Sequence, residues 1–259
     1  MTQYSGVVFF DLDGTLLNGH SVVDDSTANA VHELKDNGYL PIIATGRSPL
    51  EIKDARRATG INTFITLNGG YIEYEGKAIY RGVIPHDIVD QTVAIGDALG
   101  EAVSFYTADA IRTTRDTTAM RTAYTDIKTT IPAVDPDYYQ GRDILMLLIL
   151  TEKNDGRYEF PLKDELDFYR NGPHSIDTVL KTVSKRKGIE RLLALLKLTD
   201  IPTYAFGDGP NDLPMLEYVD HPVAMGNGIT AAKDRAEFIT STNTADGIRN
   251  GLRHFNLIK

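Results

Sequence analysis

Two aspartates one residue apart close the first apolar run of the chain, where Val7-Val8-Phe9-Phe10 leads into Asp11-Leu12-Asp13-Gly14-Thr15-Leu16. Such a run reads as a buried strand, and side chains along a strand alternate faces, so the spacing predicts that Asp11 and Asp13 project together while Leu12 points away. Gly14 lets the backbone turn close to whatever the carboxylates hold. That arrangement suits a metal ion and a phosphate. It also fits a plain strand end that has run into a polar turn, where Asp and Gly are favoured in any case. Three later segments carry residues of matching chemistry: Ala44-Thr45-Gly46-Arg47, Lys185-Arg186-Lys187 and Gly207-Asp208-Gly209-Pro210-Asn211-Asp212. Several carboxylates with a hydroxyl and a lysine meet the needs of a hard divalent cation and a phosphoryl group, because magnesium takes oxygen ligands and keeps a substrate phosphate oxygen among them. The metal and the lysine offset charge that would otherwise repel an attacking carboxylate. Each segment has a simpler use as well. Thr45 can satisfy a turn, Asp208 to Asp212 can cap a helix, and Lys185 and Lys187 offer two registers for one task.

The elements around these residues follow a regular rhythm. After the first strand, Asp24-Asp25-Ser26 supplies N-cap candidates for a helix containing Val31 and Leu34 that stops at Asn37-Gly38. Tyr39 to Ala44 reads as a second strand, Ser48-Pro49 as a helix start, Gly60 as its stop, and Thr63 to Leu67 as a third strand. Strands alternating with helices through short polar connections predict a parallel sheet covered on both faces, with ligands beyond the carboxyl ends of its strands. Asp11 and Thr45 both fall at such ends.

Beyond Asn68-Gly69-Gly70 the pattern changes. Tyr71 to Tyr74 and Ala78 to Arg81 flank Glu75-Gly76-Lys77 as a hairpin, and a helix with Ile88, Ile95 and Leu99 on one stripe spans His86 to Leu99. Ala102 to Tyr106, Ala110 to Thr114, Ile144 to Leu150, Leu166 to Tyr169 and Ser175 to Leu180 read as strands, with less regular or helical material around Asp116 to Thr130. This is expected to be an inserted α+β unit. The predicted division gives a core of residues 1–82 and 183–259 and an insert of 83–182. The opening rhythm then resumes with a helix bearing Ile189, Leu192, Leu193 and Leu196, the strand Thr203 to Phe206 and the Asp208 motif, with Pro210 in the first turn of a helix and Val223-Ala224-Met225 as a further strand.

Composition narrows the classes. A chain of 259 residues can bury a substantial core, and a net charge of -9 argues against broad binding to nucleic acid or to an anionic membrane. The absence of cysteine excludes disulfides, zinc-thiolate sites, cysteine-ligated iron-sulfur clusters and a thiol nucleophile. With no signal-type start and no apolar run of membrane-spanning length, the expected location is the cytoplasm. No repeats and no low-complexity segment interrupt the chain. Monomer and homodimer are both compatible with the sequence.

Taken in order, Asp11-Leu12-Asp13-Gly14-Thr15, Ala44-Thr45-Gly46-Arg47, Lys185 and Gly207-Asp208-Gly209-Pro210-Asn211-Asp212 resemble the motifs of the haloacid dehalogenase (HAD) superfamily of phosphatases. The resemblance is closer to the Cof-type sugar-phosphatase group, with its type IIB cap between the second and third motifs. Asn68-Gly69-Gly70, the run from Asp177 through Val183-Ser184-Lys185, and Val223-Ala224-Met225-Gly226-Asn227 match the habits of that group. The resemblance implies a doubly wound, Rossmann-like α/β core with an inserted α+β cap, and a Mg2+-dependent hydrolase of small phosphorylated substrates, sugar phosphates foremost. It implies Asp11 as nucleophile, forming an aspartyl-phosphate, and Asp13 as general acid and then base. The metal would be held by the Asp11 carboxylate, the Asp13 carbonyl and the Asp208 carboxylate, with Asp212 acting through water. Thr45, the amides of Gly46 and Leu12, Lys185 and Asn211 would hold the phosphate, Lys185 being preferred to Lys187 because it aligns with the family lysine. Arg47 joins them as a cleft contact. Arg112, Arg115, Tyr124, Arg142 and His174 are the cap's polar candidates, and His86 is given no role. A phosphomutase of the same superfamily and a non-catalytic phosphate-ligand-binding protein are the alternatives. The Asp-x-Asp metal site of sugar-nucleotide transferases leaves Thr45, Lys185 and the Asp208 motif unexplained.

Overall fold

Val7–Phe10 forms strand β1 with every residue buried, as expected of an apolar run covered on both faces. The computed structural model describes residues 4–127 and 129–259. In chain order β1 is followed by α1 (Asp25–Asp36), β2 (Leu40–Ala44), α2 (Lys53–Thr59), β3 (Phe64–Thr66), β4 (Tyr71–Tyr74) and β5 (Lys77–Arg81). Next come α3 (His86–Leu99), β6 (Ala102–Tyr106), β7 (Ile111–Thr113), α4 (Thr118–Asp126), β8 (Ala133–Val134), β9 (Met146–Leu150), α5 (Asp155–Leu162), β10 (Leu166–Gly172) and β11 (Ser175–Leu180). The chain ends with α6 (Lys185–Leu196), β12 (Thr203–Gly207), α7 (Leu213–Leu216), β13 (His221–Ala224), α8 (Thr230–Lys233), β14 (Phe238–Ile239) and α9 (Gly247–His254). Two compact units result, one of Met1–Arg47, Ile52–Tyr80 and Ser184–Lys259, the other of Ser48–Glu51 and Arg81–Val183. No helix among the described residues is long and apolar enough to cross a membrane.

The first unit is built on an eight-stranded sheet in the order β14-β13-β12-β1-β2-β3-β4-β5. From β14 to β3 the pairing is parallel, with Val7 opposite Thr203 on one side and Leu40 on the other, and β4 pairs antiparallel to β3. Ile189, Leu192 and Leu193 of α6 are buried in a cluster with Val7, Phe9, Ile42 and Ala205. This is the doubly wound α/β core that the alternating rhythm predicts, and the carboxyl ends of β1, β2 and β12 lead directly into Asp11, Thr45 and Asp208.

Two local expectations are corrected here. Asp11 and Asp13 are expected on one strand, but β1 ends at Phe10 and Asp13 bridges to Leu17. Their directions are therefore set by a turn. The helix expected from Ser48-Pro49 starts only at Lys53, because the Ser48 amide donates to Glu51 Oε2 at 2.8 Å and the Glu51 amide to the Ser48 carbonyl at 3.1 Å, closing a separate turn first.

The second unit carries a six-stranded sheet in the order β10-β11-β9-β6-β7-β8. Its core joins Ile88 and Val89 of α3 with Val103, Phe105, Leu147 and Leu162. Ile95 and Leu99, expected on the stripe with Ile88, are only partly buried. The segment around Asp116 contains the regular helix α4, capped by Thr117 Oγ1 accepting from the Met120 amide at 3.1 Å. Helix α5 is absent from the sequence reading, since Asn154-Asp155-Gly156 looks like a turn and Pro161 sits inside it. Buried Tyr158 holds it in place by donating to Glu101 at 2.9 Å.

Candidate active site

At the carboxyl end of β1, Asp11 is buried and its Oδ1 accepts from Lys185 Nζ at 2.5 Å. The same ammonium donates to Asp212 Oδ1 at 2.6 Å. Lys185, the first residue of α6, is buried, whereas Lys187 is exposed. Of the two lysine registers, the structure brings Lys185 into the cluster. Ser184 begins the helix as its N-cap, its Oγ accepting from the Lys187 amide at 3.2 Å.

The Asp208 loop is organised by its own last residue. Asp212 Oδ2 accepts from the amides of Asp208 and Gly209, each at 2.9 Å. With Oδ1 on Lys185, both oxygens of Asp212 have donors from the chain. Asp208 Oδ1 accepts from Thr15 Oγ1 at 2.9 Å. Gly14 has φ 77°, and a Cβ there would lie 2.3 Å from Asp208 Oδ2, so both the turn and the close approach require glycine. Asn211 stands in the tight turn Pro210–Asp212.

Asp13 does not join this cluster through its carboxylate. Its side chain is 57 % exposed and forms a two-pronged pair with Arg47, Nε to Oδ2 at 2.8 Å and a terminal guanidinium nitrogen to Oδ1 at 2.5 Å. Thr45 is buried at the end of β2 and its Oγ1 accepts from the Arg47 amide at 3.1 Å. Its turn-forming use is therefore real, and it leaves the hydroxyl's own proton available for another acceptor.

Charge sets the behaviour of the cluster. Asp11, Asp208 and Asp212 present ligand oxygens within 4.8 Å of one another, and with Lys185 among them the formal charge of three carboxylates and one ammonium is -2. Burial, and then Asp212, push the Asp11 carboxyl well above its usual range, with Lys185 opposing. Burial also raises Asp208, to about 6, with Thr15 opposing and Asp212 adding to the rise. Burial alone would depress the Lys185 ammonium, but Asp11 and Asp212 hold it above its ordinary value. A divalent cation fits this set, because the donors are the oxygens that magnesium prefers and the formal charge of the group is negative.

Residues that sequence reasoning passed over complete the framework. Asn227 Nδ2 donates to the Gly14 carbonyl at 2.8 Å, and Asn227 Oδ1 accepts from the Asn243 amide at 2.9 Å. Asn243 Nδ2 donates to the Leu17 carbonyl at 2.7 Å. Asn227 and Thr15 belong to motifs noted in the sequence; Asn243 carries no local signal of its role. Within the second unit, Tyr124 is buried with its hydroxyl 3.1 Å from that of Tyr106, and Arg115 pairs with Asp97. Arg112 donates to the Ile111 carbonyl at 2.7 Å, Arg142 covers the Tyr138 ring at 4.5 Å, and His174 Nδ1 lies 3.2 Å from Glu152.

Residues 8–252 match the haloacid dehalogenase-like hydrolases, and the chain belongs to that family. It is 32 % identical over 256 residues to the putative phosphatase YkrA of Bacillus subtilis, covering 98 % of this chain and 99 % of that protein. A solved structure of a hypothetical protein from Geobacillus kaustophilus superposes with a TM-score of 0.90 at 33 % identity, over 97 % of this chain and 99 % of that one. A sugar phosphatase of HAD subclass IIB superposes with a TM-score of 0.85 at 26 % identity, over 97 % and 99 % of the two chains.

Proposed function

We propose that this phosphatase is a magnesium-dependent phosphomonoester hydrolase working through an aspartyl-phosphate on Asp11, with small phosphorylated metabolites, sugar phosphates foremost, as substrates. The observation that carries the reading is the group of buried Asp11 and Asp212 and half-buried Asp208 beside Lys185, with its formal surplus of negative charge. A site that is to receive a phosphate dianion needs cationic charge beyond one lysine.

In this reading the Asp11 and Asp208 carboxylates and the Asp13 carbonyl hold Mg2+, while Asp212, both of whose oxygens have donors from the chain, orients Lys185 and the Asp208 loop. When bound, the ion would offset the negative charge of the phosphoryl oxygens and favour the ionised form of the carboxylates that hold it. Thr45, the amides of Gly46 and Leu12, Asn211 and Lys185 bind the phosphoryl group. An Asp11 oxygen forms a bond to phosphorus as the ester P–O bond breaks, and Asp13 gives its proton to the departing oxygen. The Asp13 carboxylate then takes a proton from water, whose oxygen bonds to phosphorus as the Asp11–phosphorus bond breaks and phosphate is released. Arg47 holds the Asp13 carboxylate by two hydrogen bonds until the substrate competes for the guanidinium. Choice among phosphomonoesters is assigned to the inserted unit.

The test is phosphate release from a panel of phosphorylated metabolites with and without Mg2+, with Asp11→Asn as control. Metal-dependent turnover that falls at least about a thousandfold in the variant is expected, since the nucleophile is gone. Turnover surviving in Asp11→Asn would refute the covalent route, and exchange of phosphate between sugar positions without release would favour the mutase.

A further inference from the structure

Asn68-Gly69-Gly70 stands out in the sequence and has no task in the chemistry above. In the structure it belongs to a short segment with unusual backbone. Leu67, Asn68 and Gly69 have φ of 52°, 52° and 102°, and Leu67 and Asn68 are both buried. Two successive non-glycine residues in the left-handed region are disfavoured by their own Cβ contacts, and a buried leucine there is held only by its surroundings.

Those surroundings are the two halves of the proposed phosphate cradle. On one side the Leu67 amide donates to the Arg47 carbonyl at 3.0 Å and the Asn68 amide to the Thr45 carbonyl at 3.1 Å, so the segment grips the Thr45–Arg47 loop at both ends. The Asn68 side chain lies against the residue between them, since a Cβ on Gly46 would sit 3.1 Å from Asn68 Oδ1 and 3.3 Å from Nδ2. On the other side Gly69 touches the N-cap of α6: a Cβ there would lie 2.2 Å from the Ser184 carbonyl oxygen, one residue before Lys185. Gly188, a turn further along α6, closes on the same spot, its own Cβ position 3.1 Å from Gly69 Cα.

We infer that Leu67–Gly69 is a strut that fixes the distance between the Thr45–Arg47 loop and Lys185, with Asn68 as the positioning residue that presses the Gly46 peptide into place. The inference rests on the reading of Thr45, Gly46 and Lys185 as phosphate ligands. Asparagine suits the position because it tolerates the left-handed conformation and carries a planar amide that can lie on a neighbouring peptide. The strut acts on the phosphoryl group, which all substrates share, and not on the rest of the substrate.

Asn68→Gly keeps the backbone conformation and removes only the amide. Its Tm is expected to stay within a few degrees of the native protein, while kcat/KM falls about tenfold or more, by the same factor for every phosphomonoester, as small misplacements of binding groups do. The inhibition constant for inorganic phosphate should rise in parallel. Gly46→Ala, made alone and in the Asn68→Gly background, completes a double-mutant cycle. The alanine should be more damaging beside Asn68 than in the Asn68→Gly background. Native kinetics in Asn68→Gly, a loss confined to some substrates, or strict additivity in the cycle would each overturn the strut and leave the phosphatase reading intact. A native protein that neither binds inorganic phosphate nor hydrolyses any phosphomonoester would overturn both.

Discussion

At the scale of single residues, protonation of Asp208 bears on stability and, in the proposed reading, on magnesium binding. Its carboxyl is held at about 6 by burial, with the Thr15 hydrogen bond opposing and Asp212 adding to the rise, whereas in the unfolded chain it titrates at about 3.9. Between those values the folded protein binds a proton that the unfolded chain has released. Stability from this group is therefore present at low pH and is lost as pH rises from about 4 to about 6. Without metal, the unfolding free energy of the native protein minus that of Asp208→Asn should decline across this window; a flat difference in urea titrations would refute the assignment. Magnesium requires the ionised form. The rise in Tm that it produces should be large above pH 6 and fade below it. Asp11 was legible in the sequence, because an acid after a buried run is conspicuous, although β1 ends at Phe10 and does not carry Asp13 beside it. The partnership of Asp13 with Arg47 was not, since a pair 34 positions apart leaves no local trace.

At the scale of elements, α6 couples a helix cap to chemistry. Ser184 closes the first turn through the Lys187 amide, and Lys185, which bonds Asp11 and Asp212, is the first residue of that turn. Ser184→Ala should cost about 1 kcal/mol, read by urea unfolding, and should weaken inorganic phosphate binding as the first turn frays. Elements with strong periodicity and clear stops, such as β1, α1, β2 and α6, could be read directly from the chain. Those that failed share a physical cause. Helix α5 contains Gly156 and Pro161, poor helix formers locally, and exists because Tyr158 and Leu162 are buried by tertiary packing. Strand β8 has two exposed residues and no pattern to detect. The turn at Ser48–Glu51 was mistaken for a helix start because proline serves both equally well. Residues that ligate or attack announce themselves by type; Asn68 and Asn243 work through backbone groups that only the fold brings near.

At the scale of the whole molecule, two units with separate buried clusters need not melt as one. Ligands that bind residues of the first unit stabilise that unit by mass action, about 2.7 kcal/mol at a hundredfold excess over Kd. Mg2+ with inorganic phosphate should therefore slow hydrogen exchange in β1, β2 and β12 while leaving β6 and β9 near their unliganded rates. Equal protection of both sheets would refute independent units. The position of β1 has a further consequence for biosynthesis. Val7 pairs with Leu40 on one flank but with Thr203 on the other, and Gly14 and Leu17 are tied down by Asn227 and Asn243. Since a chain emerges from the ribosome N-terminus first, Asp11 is made well before Lys185, Asp208 and Asp212, the residues that surround it in the fold. The asparagines that tie down its turn also come later in the chain, so a nascent or truncated chain holds Asp11 without the cluster that, in the proposed reading, makes it a nucleophile.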